Sequence, residues 1–180
     1  MTSRLLVLLS LCAIPTLIAG QNSVALDPKL LLKPLSDSWP VYSGDYSGKR
    51  FSALTQVNRS TVKHLTLAWL TRVTGGTGAG GRGGRGGGQT SVGGVGTIEY
   101  GGSTIRGSIL EVNGILYMSA PDNAWAIDAR DGRELWHFFW TTRGATHIGN
   151  RGLGMSGDWL YMETPDNYLV SLDAKTGKER

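Results

Sequence analysis

The stretch LYMSAPDNAWAIDARDGRELW, Leu116 to Trp136, is answered by LYMETPDNYLVSLDAKTGKER, Leu160 to Arg180. Leu116, Tyr117, Met118, Pro121, Asp122 and Asn123 recur 44 residues on, as Leu160, Tyr161, Met162, Pro165, Asp166 and Asn167. Asp128, Ala129, Gly132 and Glu134 recur 45 residues on, as Asp173, Ala174, Gly177 and Glu179. One residue has therefore been inserted between the two turns of the phrase. Turn-forming residues interrupt each copy every few positions, which excludes a helix and leaves short strands.

Working outward, GSILEV (Gly107–Val112) alternates, and Asn113-Gly114 is a strong hairpin signal. ILYMSA leads to the turn Pro121-Asp122-Asn123, AWAID to the turn Ala129-Arg130-Asp131-Gly132, and ELWHFFW closes the set. The pattern predicts one antiparallel meander over 107–140, with turns near 113–114, 121–123 and 129–132. A four-stranded unit repeating at about 45 residues is the signature of a β-propeller blade. Within it Asp128 and Asp173 are placed to accept from turn amides. Gly132 and Gly177 supply positive φ. Trp136 offers a flat ring to pack between repeats and one N–H to satisfy.

The rest of the chain divides by composition. Residues 1–20 have one early Arg, Arg4, an apolar run from Leu5 to Ile18, and small Ala19 and Gly20. That layout predicts a secretory signal peptide. The alternative is an uncleaved anchor, for which the run is shorter than the roughly 20 residues a span needs. The single cysteine, Cys12, lies in that run, so the mature chain is expected to carry no disulfide and no thiolate ligand. Residues 21–74 form an opening segment, with a short helical turn expected after Asn58 or Ser60 and a strand over Leu65–Val73. Residues 75–96 contain 13 glycines in 22 positions and predict a flexible surface loop. Arg82 and Arg85 have no aromatic residue between them, which argues against a nucleic-acid tether, and no nucleic-acid partner is expected. Residues 97–180 hold the two repeats. The net charge of +4 demands no acidic partner.

AIDARDGRELW and SLDAKTGKER resemble the tryptophan-docking repeat of the quinoprotein dehydrogenases, the family that binds pyrroloquinoline quinone (PQQ). The opening segment WPVYSGDYSGKRFSALTQVNRSTVKHLTLAW resembles the start of the mature chain in the alcohol and membrane-type glucose dehydrogenases of that family. It does so through Trp39, Arg50-Phe51-Ser52-Ala53-Leu54, Asn58 and Leu67-Ala68-Trp69. Asn150-Arg151-Gly152 is similar to the family's Asn-Arg-Gly strand. The resemblance covers about Ser38 to Arg180, apart from the Gly-rich run.

The resemblance implies an all-β fold: about two blades, the second truncated, at the N-terminal end of an eight-bladed β-propeller with tryptophan-docking repeats. It implies a periplasmic enzyme that oxidises an alcohol or sugar hydroxyl, with electrons passing to PQQ and on to an acceptor such as a cytochrome c or a quinone. A calcium or lanthanide ion and an aspartate base are implied in later blades, so no catalytic or metal-ligating residue is assigned here. Arg151 matches the family arginine that donates to PQQ oxygens; its structural alternative is a hydrogen bond between blades. Arg106 stands where many members have a Glu that contacts PQQ; an arginine there can meet a cofactor carboxylate but cannot replace a carboxylate acceptor. His147 stands beside Ala145-Thr146, where many members have two adjacent Cys that form a ring stacked on PQQ; no such disulfide forms in this chain. Its alternative is a loop histidine with local partners. The competing function is a non-catalytic propeller of the same repeat, a scaffold for protein binding or outer-membrane assembly. The opening segment and Asn-Arg-Gly favour the enzyme.

Overall fold

Asn113 and Gly114 both take positive φ, 54° and 79°, in a two-residue turn whose twist matches that of the flanking strands. The turn joins β3 (Leu110–Val112) to β4 (Ile115–Ala120). In this computed structural model, which describes residues 25–73, 90–92, 105, 107–141 and 151–180, those strands open a four-stranded antiparallel sheet. β5 (Asn123–Asp128) and β6 (Glu134–Phe139) complete it in sequence order, β3-β4-β5-β6. The meander over 107–140 thus stands, without helix. A second sheet holds β7 (Leu153–Ser156), β8 (Trp159–Glu163) and β9 (Leu169–Asp173), also in sequence order. A bridge between Leu172 and Glu179 begins the next pairing.

The two copies of Pro-Asp-Asn do not make the same turn. In the first, Ala120 pairs with Asn123, so Pro121 and Asp122 alone form the turn, with Asp122 at φ 65°. Asn123, read from sequence as a turn residue, is the buried first residue of β5. In the second, Glu163 pairs with Leu169 across a wider loop. The Thr164 N–H donates to the Tyr168 carbonyl at 2.9 Å, and the Tyr168 N–H donates to Thr164 Oγ1 at 3.0 Å. The loop absorbs the residue that changes the repeat from 44 to 45.

Before the sheets, Asp27 caps a short 3-10 turn, Pro28–Leu32. A second such turn, Val62–His64, follows Asn58, whose Oδ1 accepts from the Ser60 and Thr61 amides. The strand expected over Leu65–Val73 is shorter: only β1 (Thr71–Val73) is paired, because its partner β2 (Thr90–Val92) is itself three residues long. β2 lies inside the Gly-rich run read as a loop, at its one Thr-Ser-Val stretch.

Two cores result. Leu110, Val112, Tyr117, Ala124 and Ala126 on one face of the first sheet pack against Leu153, Met155, Leu160, Met162, Val170 and Leu172 of the second. Leu26 and Leu31 of the opening segment are buried in the same cluster. On the other face, Met118, Trp125 and Ile127 pack with Val73, and Trp69 lies against them.

One contact occurs twice. The Trp69 indole N–H donates to the Ala129 carbonyl at 3.0 Å, and the Trp136 indole N–H donates to the Ala174 carbonyl at 3.0 Å. Each ring lies on a glycine turn. A Cβ on Gly132 would stand 2.5 Å from Trp69 Cε3, and one on Gly177 would stand 2.6 Å from Trp136 Cδ2. Both glycines also have positive φ, 75° and 68°. Asp128 Oδ1 accepts from the Arg130 amide and Asp173 Oδ1 from the Lys175 amide, each at 3.0 Å, so the two turns are built alike.

Candidate cofactor site

β3 and β7 are the first strands of their sheets, each with one edge not used by its own sheet. The segments leading into them meet at a parallel bridge between Ser108 and Gly152. Two glycines permit this approach. A Cβ on Gly107 would lie 2.4 Å from the Gly152 nitrogen and 2.5 Å from the Arg151 carbonyl carbon, a clash with backbone that nothing could relieve cheaply. Gly152 has φ 128°, a region that side-chain-bearing residues avoid. Arg151 is thereby held at the meeting point of two first strands, with its side chain exposed.

Of the three residues expected to contact the cofactor, Arg151 is therefore placed at this junction. Arg106 and His147 lie outside the described residues, as do Ala145, Thr146 and Asn150. The covalent neighbour of Arg106, Gly107, is the residue that abuts Arg151. An exposed guanidinium fork on a fixed backbone fits a quinone that carries carboxylates, since it donates bidentately to oxygens. No cluster of three or more His, Cys, Asp or Glu side chains suited to a metal ion occurs among the described residues.

The same end of the molecule holds a clamp that sequence reading missed. The Trp140 indole N–H donates to Asp166 Oδ1 at 2.8 Å, and the Thr164 hydroxyl donates to the same oxygen at 2.6 Å. The Trp140 amide donates to the Asp122 carbonyl at 2.8 Å, and the Trp140 ring lies 5.5 Å from that of Tyr168. Trp140 thus ties the end of the first sheet to the second, shortly before the segment that arrives at Arg151. The available signal was the repeated Pro-Asp-Asn beside a Trp at the end of ELWHFFW.

Deeper in the first sheet, His137 stacks on Trp125, with ring centroids 5.3 Å apart and planes 9° from parallel. The Asn123 side-chain amide donates to the Pro121 carbonyl at 2.8 Å, so its oxygen faces His137 Nε2, 2.8 Å away. That network assigns the proton to Nε2. Burial lowers the pKa of His137. Burial raises that of the Tyr117 phenol, and the Asp173 charge adds to the effect. At the opposite end, Asp128 is held well below the usual carboxylate range, first by the Arg130 side chain at 2.6 and 2.9 Å and then by the Arg130 amide. A cavity of 1330 Å³ also lies at that far end, between the opening segment and the Asn113-Gly114 turn, and not at Arg151.

Residues 39–180 match the family described as glucose/ethanol/alcohol dehydrogenase, beta-propeller domain, which is PQQ-dependent. The chain belongs to that family. Among its relatives, the quinohemoprotein alcohol dehydrogenase of Comamonas testosteroni is 28% identical over 151 residues, 78% of this chain and 17% of the relative. The quinoprotein glucose dehydrogenase of Escherichia coli is 28% identical over 184 residues, 91% of this chain and 21% of the relative. The crystal structure of the Comamonas testosteroni enzyme superposes with a TM-score of 0.59 at 26% identity, covering 86% of this chain and 20% of that one. A europium-containing methanol dehydrogenase, 24% identical with a TM-score of 0.56, shares the fold. The chain therefore spans about a fifth of the length of the proteins it matches. Its sheets are all-β, consistent with part of a β-propeller.

Proposed function

We propose that this chain is the N-terminal part of a periplasmic PQQ-dependent dehydrogenase that oxidises an alcohol or sugar hydroxyl. The observation that carries the reading is Arg151, fixed by Gly107 and Gly152 where the first strands of two sheets meet. In a propeller the first strand of each blade lines the axis, so a long side chain at that point reaches the central space. Arg151 would hold PQQ there by charge-assisted hydrogen bonds from its guanidinium to the cofactor's oxygens. Arg106 and His147 are proposed as further contacts from the segments that flank the same junction. PQQ supplies a quinone that accepts two electrons. The metal ion, calcium or a lanthanide, and the base that takes the hydroxyl proton are assigned to parts of the ring outside this chain. A cytochrome c or a quinone is proposed as the electron acceptor. Export to the periplasm rests on the signal-like residues 1–20.

The ring itself is proposed to have eight blades joined by tryptophan docking. The repeated placing of Trp69 on the Gly132 turn and Trp136 on the Gly177 turn supports the docking. In the second sheet Leu169, at the start of β9, is 72% exposed, apolar surface that a further blade would cover. The test is reconstitution of the longer protein with PQQ and calcium or a lanthanide, followed by dye-coupled oxidation of a primary alcohol series and of glucose. Turnover that requires PQQ and at least one of these hydroxyls supports the proposal. A protein that folds but shows no PQQ-dependent oxidation of any of them refutes it.

A further inference from the structure

We infer that Trp140 and Asp166 are positioning residues for the cofactor: their hydrogen bond sets the angle between the two sheets and so places Arg151. The inference rests on the PQQ reading above for what Arg151 meets, while the geometry of the clamp stands without it.

The clamp departs from the repeat. Trp69 and Trp136 dock alike, on the Ala129 and Ala174 carbonyls. Four residues beyond them stand Val73 and Trp140. Val73 is fully buried and has no side-chain donor, so it cannot hold the first sheet's acid, Asp122, in this way. Trp140 is partly buried and donates to Asp166, the counterpart of Asp122. The second sheet departs at the same place. Thr164 stands where the first sheet has Ala120, and its hydroxyl shares Asp166 Oδ1 with the indole. Tyr168 folds back onto Thr164 in the longer loop, and its ring lies against that of Trp140. A contact common to the repeats serves their stacking. Changes that meet at one interface serve something found there, and what this interface carries, and the earlier one does not, is the Arg151 junction.

Arg151 lies at the end of the molecule that the clamp secures. Leu153 pairs with Met162, and the same register carried back two residues brings Arg151 level with Thr164. At this end the sheets are joined at opposite edges of the first sheet. Ser108 and Gly152 meet at the start of its first strand, β3. Trp140 follows its last strand, β6, with its amide on the Asp122 carbonyl and its indole on Asp166. The Trp136 bond to Ala174 holds the far end. The Ser108–Gly152 and Trp136–Ala174 contacts define a hinge axis, and Trp140–Asp166, off that line, locks it. The inner support has no slack, since a Cβ on Gly107 would lie 2.5 Å from the Arg151 carbonyl oxygen. Rotation about it therefore displaces the Arg151 backbone. A guanidinium fork that must meet two oxygens at once tolerates little displacement.

The experiment titrates the longer, cofactor-free protein with PQQ and melts each variant without it. Trp140→Phe keeps a ring and removes the N–H. Asp166→Ala removes the acceptor, and Asp166→Asn keeps an oxygen for both donors. Trp69→Phe makes the same cut at the interface that carries no such junction. Trp140→Phe and Asp166→Ala are each expected to weaken PQQ binding about tenfold, the scale on which contacts remote from a ligand change its affinity. Asp166→Asn and Trp69→Phe should change it by no more than about twofold. On an Arg151→Ala background Trp140→Phe should also cost no more than about twofold, because the clamp acts through that arginine. Wild-type affinity in Trp140→Phe and Asp166→Ala overturns the inference and leaves Arg151 as the PQQ contact. So does the full tenfold loss on the Arg151→Ala background, or an equal loss from Trp69→Phe, which would mark general loosening. Where Trp140→Phe does not fold, the Asp166 pair decides: equal PQQ affinity in Asp166→Ala and Asp166→Asn overturns the inference. A wild-type protein that binds no PQQ, or an Arg151→Ala variant that binds it as wild type does, refutes the functional reading, and the inference falls with it.

Discussion

Gly132→Ala should be far more damaging than its size suggests, and the structure says by how much. An L-residue at φ 75° costs about 1–2 kcal/mol in backbone strain. The new methyl would stand 2.5 Å from Trp69 Cε3 and 2.7 Å from Cδ2, so the indole must move. Its N–H then loses the Ala129 carbonyl at 3.0 Å, which costs about 1–3 kcal/mol where the donor stays buried. The total is about 2–5 kcal/mol. Gly114→Ala is the internal reference. Gly114 has φ 79°, but a Cβ there meets nothing within 4 Å, so only the strain of about 1–2 kcal/mol applies. The assay is denaturant unfolding followed by tryptophan fluorescence, on the longest soluble form carrying both sheets. Repeating Gly132→Ala on a Trp69→Ala background isolates the contact, and its cost should fall to that of Gly114→Ala. Equal costs for Gly132→Ala and Gly114→Ala, or an unchanged cost without Trp69, would refute the reasoning.

Two predictions concern pH. The folded-state pKa of Asp128 is depressed, chiefly by Arg130, so the stability it contributes is present above the unfolded value near 4 and lost as pH falls below it. Asp128→Asn should therefore melt lower than wild type at pH 6, with the gap narrowing as pH falls from 4 to 2; a gap as large at pH 2 as at pH 6 counts against this. The pKa of His137 is lowered by burial, so the unfolded chain binds more protons and stability falls as pH drops below about 6.5. His137→Phe should lose that slope between pH 7 and 5, at a cost of about 1 kcal/mol for the Asn123 hydrogen bond. An identical slope in the variant would show that another group titrates.

The strands were legible because their limits are set locally. Asn113-Gly114 admits one kind of turn, and Asp128 with Gly132 fixes another through bonds inside four or five residues. The two Pro-Asp-Asn turns show where local chemistry stops deciding. The same triplet gives a two-residue turn at Pro121-Asp122 and a wider loop at Thr164–Tyr168, and the Thr164 hydroxyl makes the difference. Arg151 was legible as a motif. Its setting was not, since Gly107 and Gly152 are far apart in sequence and meet only when both sheets form. The opening segment reads as a mixed lead because its partners, Glu111 and Gly157, are distant and bind through backbone groups that leave no side-chain pattern.

The central claim is that PQQ is held at Arg151, and titration of the cofactor-free protein with PQQ tests it most directly. Wild type should bind saturably. Arg151→Ala should bind about ten- to a hundredfold more weakly, from about 1.5–3 kcal/mol of charge-assisted bonding at 1.4 kcal/mol per tenfold. Arg151→Lys should recover part of the loss, because a point charge lacks the fork. All three should melt alike without cofactor, since the side chain is exposed and removes no core volume. Equal PQQ affinity in wild type and Arg151→Ala, or loss of binding only through unfolding, would contradict the account.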